Sequence, residues 1–177
     1  AYAGDNLADG LRRIDDLKGT IECYVFQGTA QDSGNETYIY VTKKGGKVLM
    51  LSQMLPSADT VVPDEKTLAV LKQAGADYLA ARGYGKMKAT YSQYYDGQAV
   101  INYAAVQNGV LLYPDLVKVG ILLDGSKRVV GVDARNYIMA HQDRTLSAVN
   151  LSADEARDII NPSLTIAGER LTLIPWE

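Results

Sequence analysis

The chain has one histidine, His141, in the sequence AHQDR at residues 140–144, and histidine is the side chain best suited to general-base chemistry near neutral pH. A Ser-His-Asp group would have to be assembled from distant parts of the chain, because no Gly-x-Ser-x-Gly motif accompanies His141. A histidine in this setting more often caps a helix end or makes a hydrogen bond between units, and the nearby Arg144 favours a packed polar seam. We therefore predict no catalytic residue.

Three carboxylates, Asp115, Asp124 and Asp133, are candidates for the acid and base of a glycosidase. Asp124 precedes a glycine and is typical of a hairpin turn, while Asp115 follows Pro114 and is interpreted as a turn residue, so neither needs a catalytic role. The chain has no EF-hand spacing, no second histidine and only one cysteine, Cys23, which lies in a predicted strand as a small buried side chain. We predict no metal and no cofactor.

Twelve tyrosines against one phenylalanine and one tryptophan make an unusual aromatic inventory. Tyr91, Tyr94, Tyr95 and Tyr103 are brought together by a predicted hairpin and are our candidates for partner binding. The alternative is that a helix covers one face of the sheet and the tyrosines simply line the other face. The pair Lys43 and Lys44 is either a solvated turn tip or a contact for anionic cell-wall polymer.

The elements that would position these residues begin with residues 91–137, which predict four antiparallel strands and a short helix. Apolar alternation and the dipeptides Asp-Gly and Asn-Gly mark strands at 91–95, 99–106, 117–123 and 128–133. Upstream, a helix is predicted at 5–14 with a stop at Gly19, followed by strands at 20–27, 37–42 and 47–52.

A second helix is predicted to start at Asp64 and to end at Gly83, with one apolar stripe along it. Its members are Leu68, Leu71, Gly75, Tyr78, Leu79 and Arg82. Further on, Ser152 and Glu155 form a predicted capping box, and 171–174 form a lone final strand. Either the other strands of this last unit are missing from the sequence, or its strand completes a neighbouring sheet.

Together these elements predict an α+β protein of tandem units at 1–55, 61–146 and 150–177. Each full unit would be an antiparallel sheet of three or four strands with one helix packed on a face, and the third would be only the start of a unit. The net charge of −3 disfavours a nucleic-acid partner. No apolar window is long enough for a membrane span, so any anchor would lie upstream of Ala1.

Several stretches keep their order along nearly the whole chain and carry a family resemblance. They are 40–48 (YVTKKGGKV), 108–119 (NGVLLYPDLVKV), 130–137 (VGVDARNY), His141 with Arg144, the helix start at 151–156, and 170–175 (RLTLIP). In these stretches the chain resembles the C-terminal region of the spore germination protein YpeB family, which is built from PepSY domains.

The resemblance implies a non-enzymatic, extracytoplasmic protein of spore-forming bacteria, at the periphery of the spore inner membrane on the cortex side. It implies a partner, a spore cortex-lytic hydrolase acting on peptidoglycan, which the protein would stabilise and restrain through protein-protein contacts. Two alternatives stay open: a PepSY-type peptidase inhibitor that inserts a sheet edge into a protease cleft, and a cell-wall glycan-binding module that uses the tyrosines.

Overall fold

The strands of the first and second predicted units join into one open sheet. The computed structural model describes residues 2–4, 21–31 and 33–175, and these contain nine strands and three helices. The strands are β1 (Tyr2–Gly4), β2 (Cys23–Thr29), β3 (Glu36–Thr42), β4 (Val48–Gln53), β5 (Met87–Tyr95), β6 (Gln98–Gln107), β7 (Val110–Leu122), β8 (Val129–Asp133) and β9 (Thr172–Leu173). The helices are α1 (Glu65–Ala80), α2 (Arg135–Ala140) and α3 (Ala153–Asp158).

The order of strands across the sheet is β1-β2-β3-β4-β8-β7-β6-β5, and every neighbouring pair in this series is antiparallel. The predicted α+β class with antiparallel pairing is therefore confirmed. Strands β1 to β4 form one antiparallel meander and β5 to β8 form another. The two meanders meet where β4 pairs with β8, with Met50 opposite Asp133, Leu51 opposite Val132 and Ser52 opposite Gly131. The division into units at 1–55, 61–146 and 150–177 stays a prediction, and the helix predicted at 5–14 with its stop at Gly19 lies outside the described residues.

Helix α1 begins and ends where its sequence predicts. The Asp64 carboxylate accepts a hydrogen bond of 2.7 Å from the backbone N–H of Thr67, which satisfies one of the free donors of the first turn. Leu71, Gly75 and Leu79 form the buried stripe. The chain leaves the helix through Gly83, whose φ of +73° lies in the left-handed region that glycine tolerates.

One face of β5 to β8 packs against α1 and forms the main core. Its buried members come from α1, the sheet, α2 and the segments next to these helices. They are Leu71, Leu79, Tyr84, Ala99, Ile101, Tyr103, Ala105, Leu112, Val117, Val119, Ile121, Val132, Ala134 and Tyr137. Tyr103 reaches the helix backbone, donating a hydrogen bond of 2.9 Å to the carbonyl of Lys72. Gly75 is needed at this point because a Cβ there would overlap the Tyr103 hydroxyl.

The last strand is an exception to the antiparallel pattern. Strand β9 pairs in parallel with the start of β7, with Thr172 opposite Leu111 and Leu173 opposite Leu112. The connection from β7 to β9 is long, as a parallel crossover requires. Of the two expectations for this strand, the structure supports the second, in which it completes a neighbouring sheet. The capping box before α3 is also present, formed by Ser152 and Glu155.

Candidate functional site

The most polar interior site of the described chain is created by a bulge in β7. On β6, Ala104 and Ala105 are adjacent, but their partners on β7 are Leu116 and Leu112, so residues 113–115 are extra. Pro114 has no N–H to contribute to the ladder, which places it naturally at such an interruption. The bulge places the side chain of Asp115 in the interior, where it is 0% exposed. The interpretation of Asp115 as a turn residue is therefore wrong, because the chain continues as a strand on both sides of it.

The side chains of His141 and Arg144, which follow α2, make hydrogen bonds to the carboxylate of Asp115. Arg144 donates to both carboxylate oxygens, Nη2 to Oδ1 at 2.6 Å and Nη1 to Oδ2 at 2.8 Å. His141 Nδ1 lies 2.7 Å from Oδ2. A buried charge is tolerated only when it is paired and hydrogen-bonded in this way. The hydrogen bonds to Asp115 also raise the pKa of Arg144 above its ordinary value.

The same residues fix the chain that leaves α2. Arg144 Nη2 donates to the carbonyl of Ala140 at 2.7 Å and so caps the C-terminal end of the helix. The side-chain amide of Gln107 at the end of β6 pairs with the backbone of Arg144, donating to its carbonyl at 2.6 Å and accepting from its N–H at 3.2 Å. The polar seam predicted around His141 and Arg144 is therefore present, with Asp115 at its centre.

His141 is also part of an aromatic stack. Its ring lies 4.2 Å from that of Tyr137, nearly parallel at 17°, and Tyr137 meets Tyr84 edge-on at 5.2 Å. The Tyr84 hydroxyl donates to the carbonyl of Val48, so the stack reaches β4. Burial raises the pKa of Tyr137, and the negative charge of Asp115 adds to this shift. Burial likewise raises the pKa of Tyr84, so both tyrosine hydroxyls stay protonated near neutral pH and the two rings act as packing groups.

The His141 and Asp115 pair resembles the base and orienting acid of a hydrolase, but the nucleophile is missing from its surroundings. Arg144 donates to both Asp115 oxygens, and the hydrogen bond between His141 Nδ1 and Oδ2 orients the imidazole ring. Among the described residues, no serine, threonine or cysteine side chain makes a hydrogen bond to His141. Cys23 is buried, and burial raises the pKa of its thiol, which disfavours the reactive thiolate.

The remaining carboxylates are explained by local structure. Asp124 lies in the turn after β7 and accepts a hydrogen bond of 2.9 Å from the N–H of Ser126, as its sequence predicts. Asp133 at the end of β8 is paired with Arg135, whose Nε lies 2.8 Å from Oδ1. Asp115 lies in the bulge of β7 and Asp124 in the turn that follows the strand, so the two carboxylates are more than about 20 Å apart. That separation is too large for a glycosidase pair.

Groups of histidine, cysteine and carboxylate side chains able to hold a metal are likewise absent from the part of the chain that the structure describes.

The structure separates the four tyrosines that we predict as partner-binding candidates. Tyr103 is fully buried under α1, and Tyr94 is half-buried against the same core. Tyr91 and Tyr95 are about half exposed, at 46% and 47%. Strand alternation places Tyr94 opposite to Tyr91 and Tyr95, and the bulge in which Thr90 and Tyr91 together oppose Asn102 turns Tyr94 toward the core. Tyr91 and Tyr95 therefore share an edge strand, and partner binding by these tyrosines stays a prediction.

A groove lies beside the polar seam, between the turn that joins β3 to β4 and helix α2. It encloses about 830 Å³ and is lined by Ile21, Glu22, Thr42, Lys43, Lys44, Lys47, Tyr137, Ile138 and His141. Three of its side chains are lysines that come from five consecutive residues, while Tyr137 and Ile138 supply an apolar wall. The sequence identifies Lys43, Lys44 and His141 as separate candidates, but nothing in it shows that the fold brings them to one groove.

Comparison with known proteins assigns the family. A model of the YpeB sporulation family, covering its PepSY1 and PepSY2 domains, matches residues 4–147. The chain belongs to the YpeB sporulation family. Its likeness to the sporulation protein YpeB of Bacillus subtilis is 28% identity over 159 residues, 86% of this chain and 34% of that protein.

Two further relatives carry the same name. The sporulation protein YpeB of Halalkalibacterium halodurans is 28% identical over 137 residues, 77% of this chain and 30% of its own length. That of Oceanobacillus iheyensis is 37% identical over 98 residues, 55% of this chain and 22% of its own length. The chain thus spans about a third of the curated relatives that it matches along most of its length.

The fold has a solved counterpart in the C-terminal domain of Bacillus megaterium YpeB. The TM-score is 0.74 at 22% sequence identity, and the match covers 97% of this chain and 82% of that one. The relatives are named as sporulation proteins, not as enzymes. Among the described helices, none combines the length and the apolar character needed to cross a bilayer.

Proposed function

We propose that this chain works without catalysis and that it stabilises and restrains a spore cortex-lytic hydrolase through protein-protein contacts. The observation that carries the proposal is the Asp115 cluster within a YpeB family chain. The side chains best suited to hydrolytic chemistry, His141 and Asp115, are joined to Arg144 in a closed, ion-paired group with no hydroxyl or thiol partner among the described residues. A histidine and a carboxylate without a nucleophile within hydrogen-bond reach lack the parts needed for covalent hydrolytic catalysis.

The contact surface that best fits the proposal is the edge strand β5. It is at one end of the strand order, so one of its sides has no sheet partner in the described chain. Tyr91 and Tyr95 project from it half exposed. Tyrosine supplies a large apolar area together with a hydroxyl, and it is enriched where proteins bind one another. The setting of such a complex would be the extracytoplasmic, cortex side of the spore inner membrane.

The test is the thermal stability of a purified cortex-lytic hydrolase with and without saturating amounts of this chain. A binder of the folded enzyme raises its melting temperature by mass action. The double variant Tyr91→Ser/Tyr95→Ser is expected to lose most of the shift, whereas Tyr24→Ser, which removes a tyrosine of similar exposure on β2, retains it. An unchanged melting temperature of the hydrolase at saturation would overturn the proposal.

A peptidase inhibitor is the second candidate, and the same edge strand is the observation that favours it. An extended substrate-like segment could then be supplied by β5 to a protease cleft. Protease kinetics separate the two functions, because an inhibitor lowers peptidase activity in the absence of any hydrolase. Full residual peptidase activity at saturating amounts of the chain would remove this candidate.

A further inference from the structure

The groove between the β3–β4 turn and α2 carries a concentration of positive charge that is not matched by acidic side chains among the described residues. Lys43 and Lys44 are exposed, and no carboxylate of the described chain forms an ion pair with either of them. The ammonium group of Lys43 lies 5.5 Å from the centre of the Tyr24 ring. Lysines of this kind usually point into solvent, but these line a concave space.

Lys47 is held more firmly at the same groove. Its ammonium group donates to the carbonyl of Gly83 and lies 5.1 Å from the centre of the Tyr84 ring. These contacts fix its position and leave its positive charge uncompensated by any described acid. Among the described residues of the lining, the acidic one is Glu22, so these residues carry three positive charges against one negative charge. This local excess stands against a net charge of −3 for the whole chain.

The other wall of the groove is aromatic and apolar. Tyr137 and Ile138 line it together with His141, which is 41% exposed and is oriented by its bond to Asp115. Tyr137 is only 6% exposed beneath His141, so the ring surface beside the lysines is that of His141. A volume of about 830 Å³ falls within the range of small-ligand sites. A ring surface next to cations suits a ligand that carries negative charge and also has a flat or ring-shaped part.

We propose that this groove binds a glycan that carries carboxylate groups, with Lys43, Lys44 and Lys47 pairing with the carboxylates and the His141 ring and Ile138 packing against the sugar. Charge complementarity selects an anion, and the apolar wall selects a ligand with ring faces over a small ion. The site is separate from β5 and does not depend on binding to a hydrolase, so the two proposals can fail independently.

The test uses an oligogalacturonate as the probe and an uncharged dextran oligomer of the same length as its control, measured by calorimetric titration of the full chain. Binding of the oligogalacturonate and not of the dextran is expected. The affinity should fall as salt is added, because exposed charges are screened. The double variant Lys43→Ala/Lys44→Ala is expected to weaken binding by about tenfold, which is the effect of losing two partly solvated ion pairs.

The matched control variant is Lys66→Ala/Lys88→Ala, which removes the same charge from two exposed lysines outside the groove. It should bind as the unchanged chain does. Equal weakening in the two double variants would show general charge attraction and would overturn the proposal, as would no binding of the oligogalacturonate. A poly-glutamate peptide that bound at the same lysines more tightly than the glycan would also overturn it, in favour of an acidic protein segment.

Discussion

The Asp115 cluster (Asp115, His141 and Arg144) and the groove lined by Lys43, Lys44 and Lys47 share His141. Charges are paired in the cluster and unpaired in the groove. In the cluster, both oxygens of a fully buried carboxylate are occupied by Arg144 and His141, within 2.6–2.8 Å. In the groove, on the other side of the same histidine, Lys43 and Lys44 have no acidic partner in the described chain. The comparison teaches that removing one member of the buried ion-paired group should destabilise the fold. The unpaired lysines, by contrast, contribute little to the free energy of unfolding and are free for a ligand.

The largest effect should come from opening the cluster. Replacing Asp115 with asparagine leaves the half-buried guanidinium of Arg144 without its anion and is expected to lower the free energy of unfolding by about 3 kcal/mol. Urea denaturation measures this loss. The control is Asp124→Asn in the exposed turn, which should cost less than about 1 kcal/mol. If the two variants were equally stable, Asp115 would not be an essential member of the core.

The next effect tests a second enclosed contact, that of Tyr103 with α1. The variant Gly75→Ala places a methyl group against the Tyr103 hydroxyl and 2.7 Å from its Cζ atom, so the helix or the ring must move. Overpacking of this kind should cost about 2 kcal/mol, even though alanine favours a helix over glycine.

Chemical denaturation measures the Gly75→Ala effect, and Gly168→Ala, where no atom lies within 4 Å of the added Cβ, is the neutral control. A Gly75→Ala chain as stable as the unchanged one would contradict the close approach of α1 to the sheet.

A smaller effect should follow from a paired charge that is only half-buried. Burial raises the pKa of Asp133, but the hydrogen bonds and charge of Arg135 outweigh it and hold that pKa below its usual value. Folding therefore disfavours the protonated acid. The stabilisation is complete above the unfolded pKa of about 3.9 and is lost as the pH falls through the lower folded pKa.

Removing this partner with Arg135→Gln should cost about 1 kcal/mol at neutral pH, since Arg135 is 39% exposed and solvent screens the pair. The cost should shrink as the pH falls through the lowered folded-state pKa of Asp133, because the acid is then protonated in both states. Urea denaturation across the pH range measures it, with Arg157→Gln as a control for an exposed pair. A cost that did not change with pH would mean that Arg135 acts by packing alone.

The smallest effect on stability should come from the groove. The variant Lys43→Ala/Lys44→Ala is expected to change the free energy of unfolding by less than about 0.5 kcal/mol, because both side chains are exposed and unpaired. Thermal melting monitored by circular dichroism measures this change. Large destabilisation of this variant would mean that the lysines belong to the fold, and the contrast with the Asp115 cluster would disappear.

Local sequence signals predicted most of the elements. Asp64, the stripe through Leu71 and Leu79, and the stop at Gly83 locate α1 because they act within a few residues of one another. The Asp-Gly and Asn-Gly turns locate the ends of β5, β6 and β7 for the same reason. Family resemblance was likewise carried by short stretches, and the family model confirms it.

The features that could not be predicted depend on pairing between distant residues. Pro114 and Asp115 are typical of a turn, and only the register of β7 on β6 shows that they form a bulge within a strand. Tyr94 and Tyr95 are adjacent in β5 and so face opposite sides of the sheet, but only the bulge at Thr90 and Tyr91 decides which of them faces the core. The pairing of β4 with β8 and of β9 with β7 has no local signature at all.

The narrow junction between β4 and β8 has a mechanical consequence. Three residue pairs join these strands, whereas ten join β6 to β7. Under a load applied across the sheet, the hydrogen bonds of the shorter ladder share the force among fewer members and rupture first. A load applied between β3 and β7 would therefore separate the sheet along that line, since five residue pairs join β3 to β4 and four join β7 to β8.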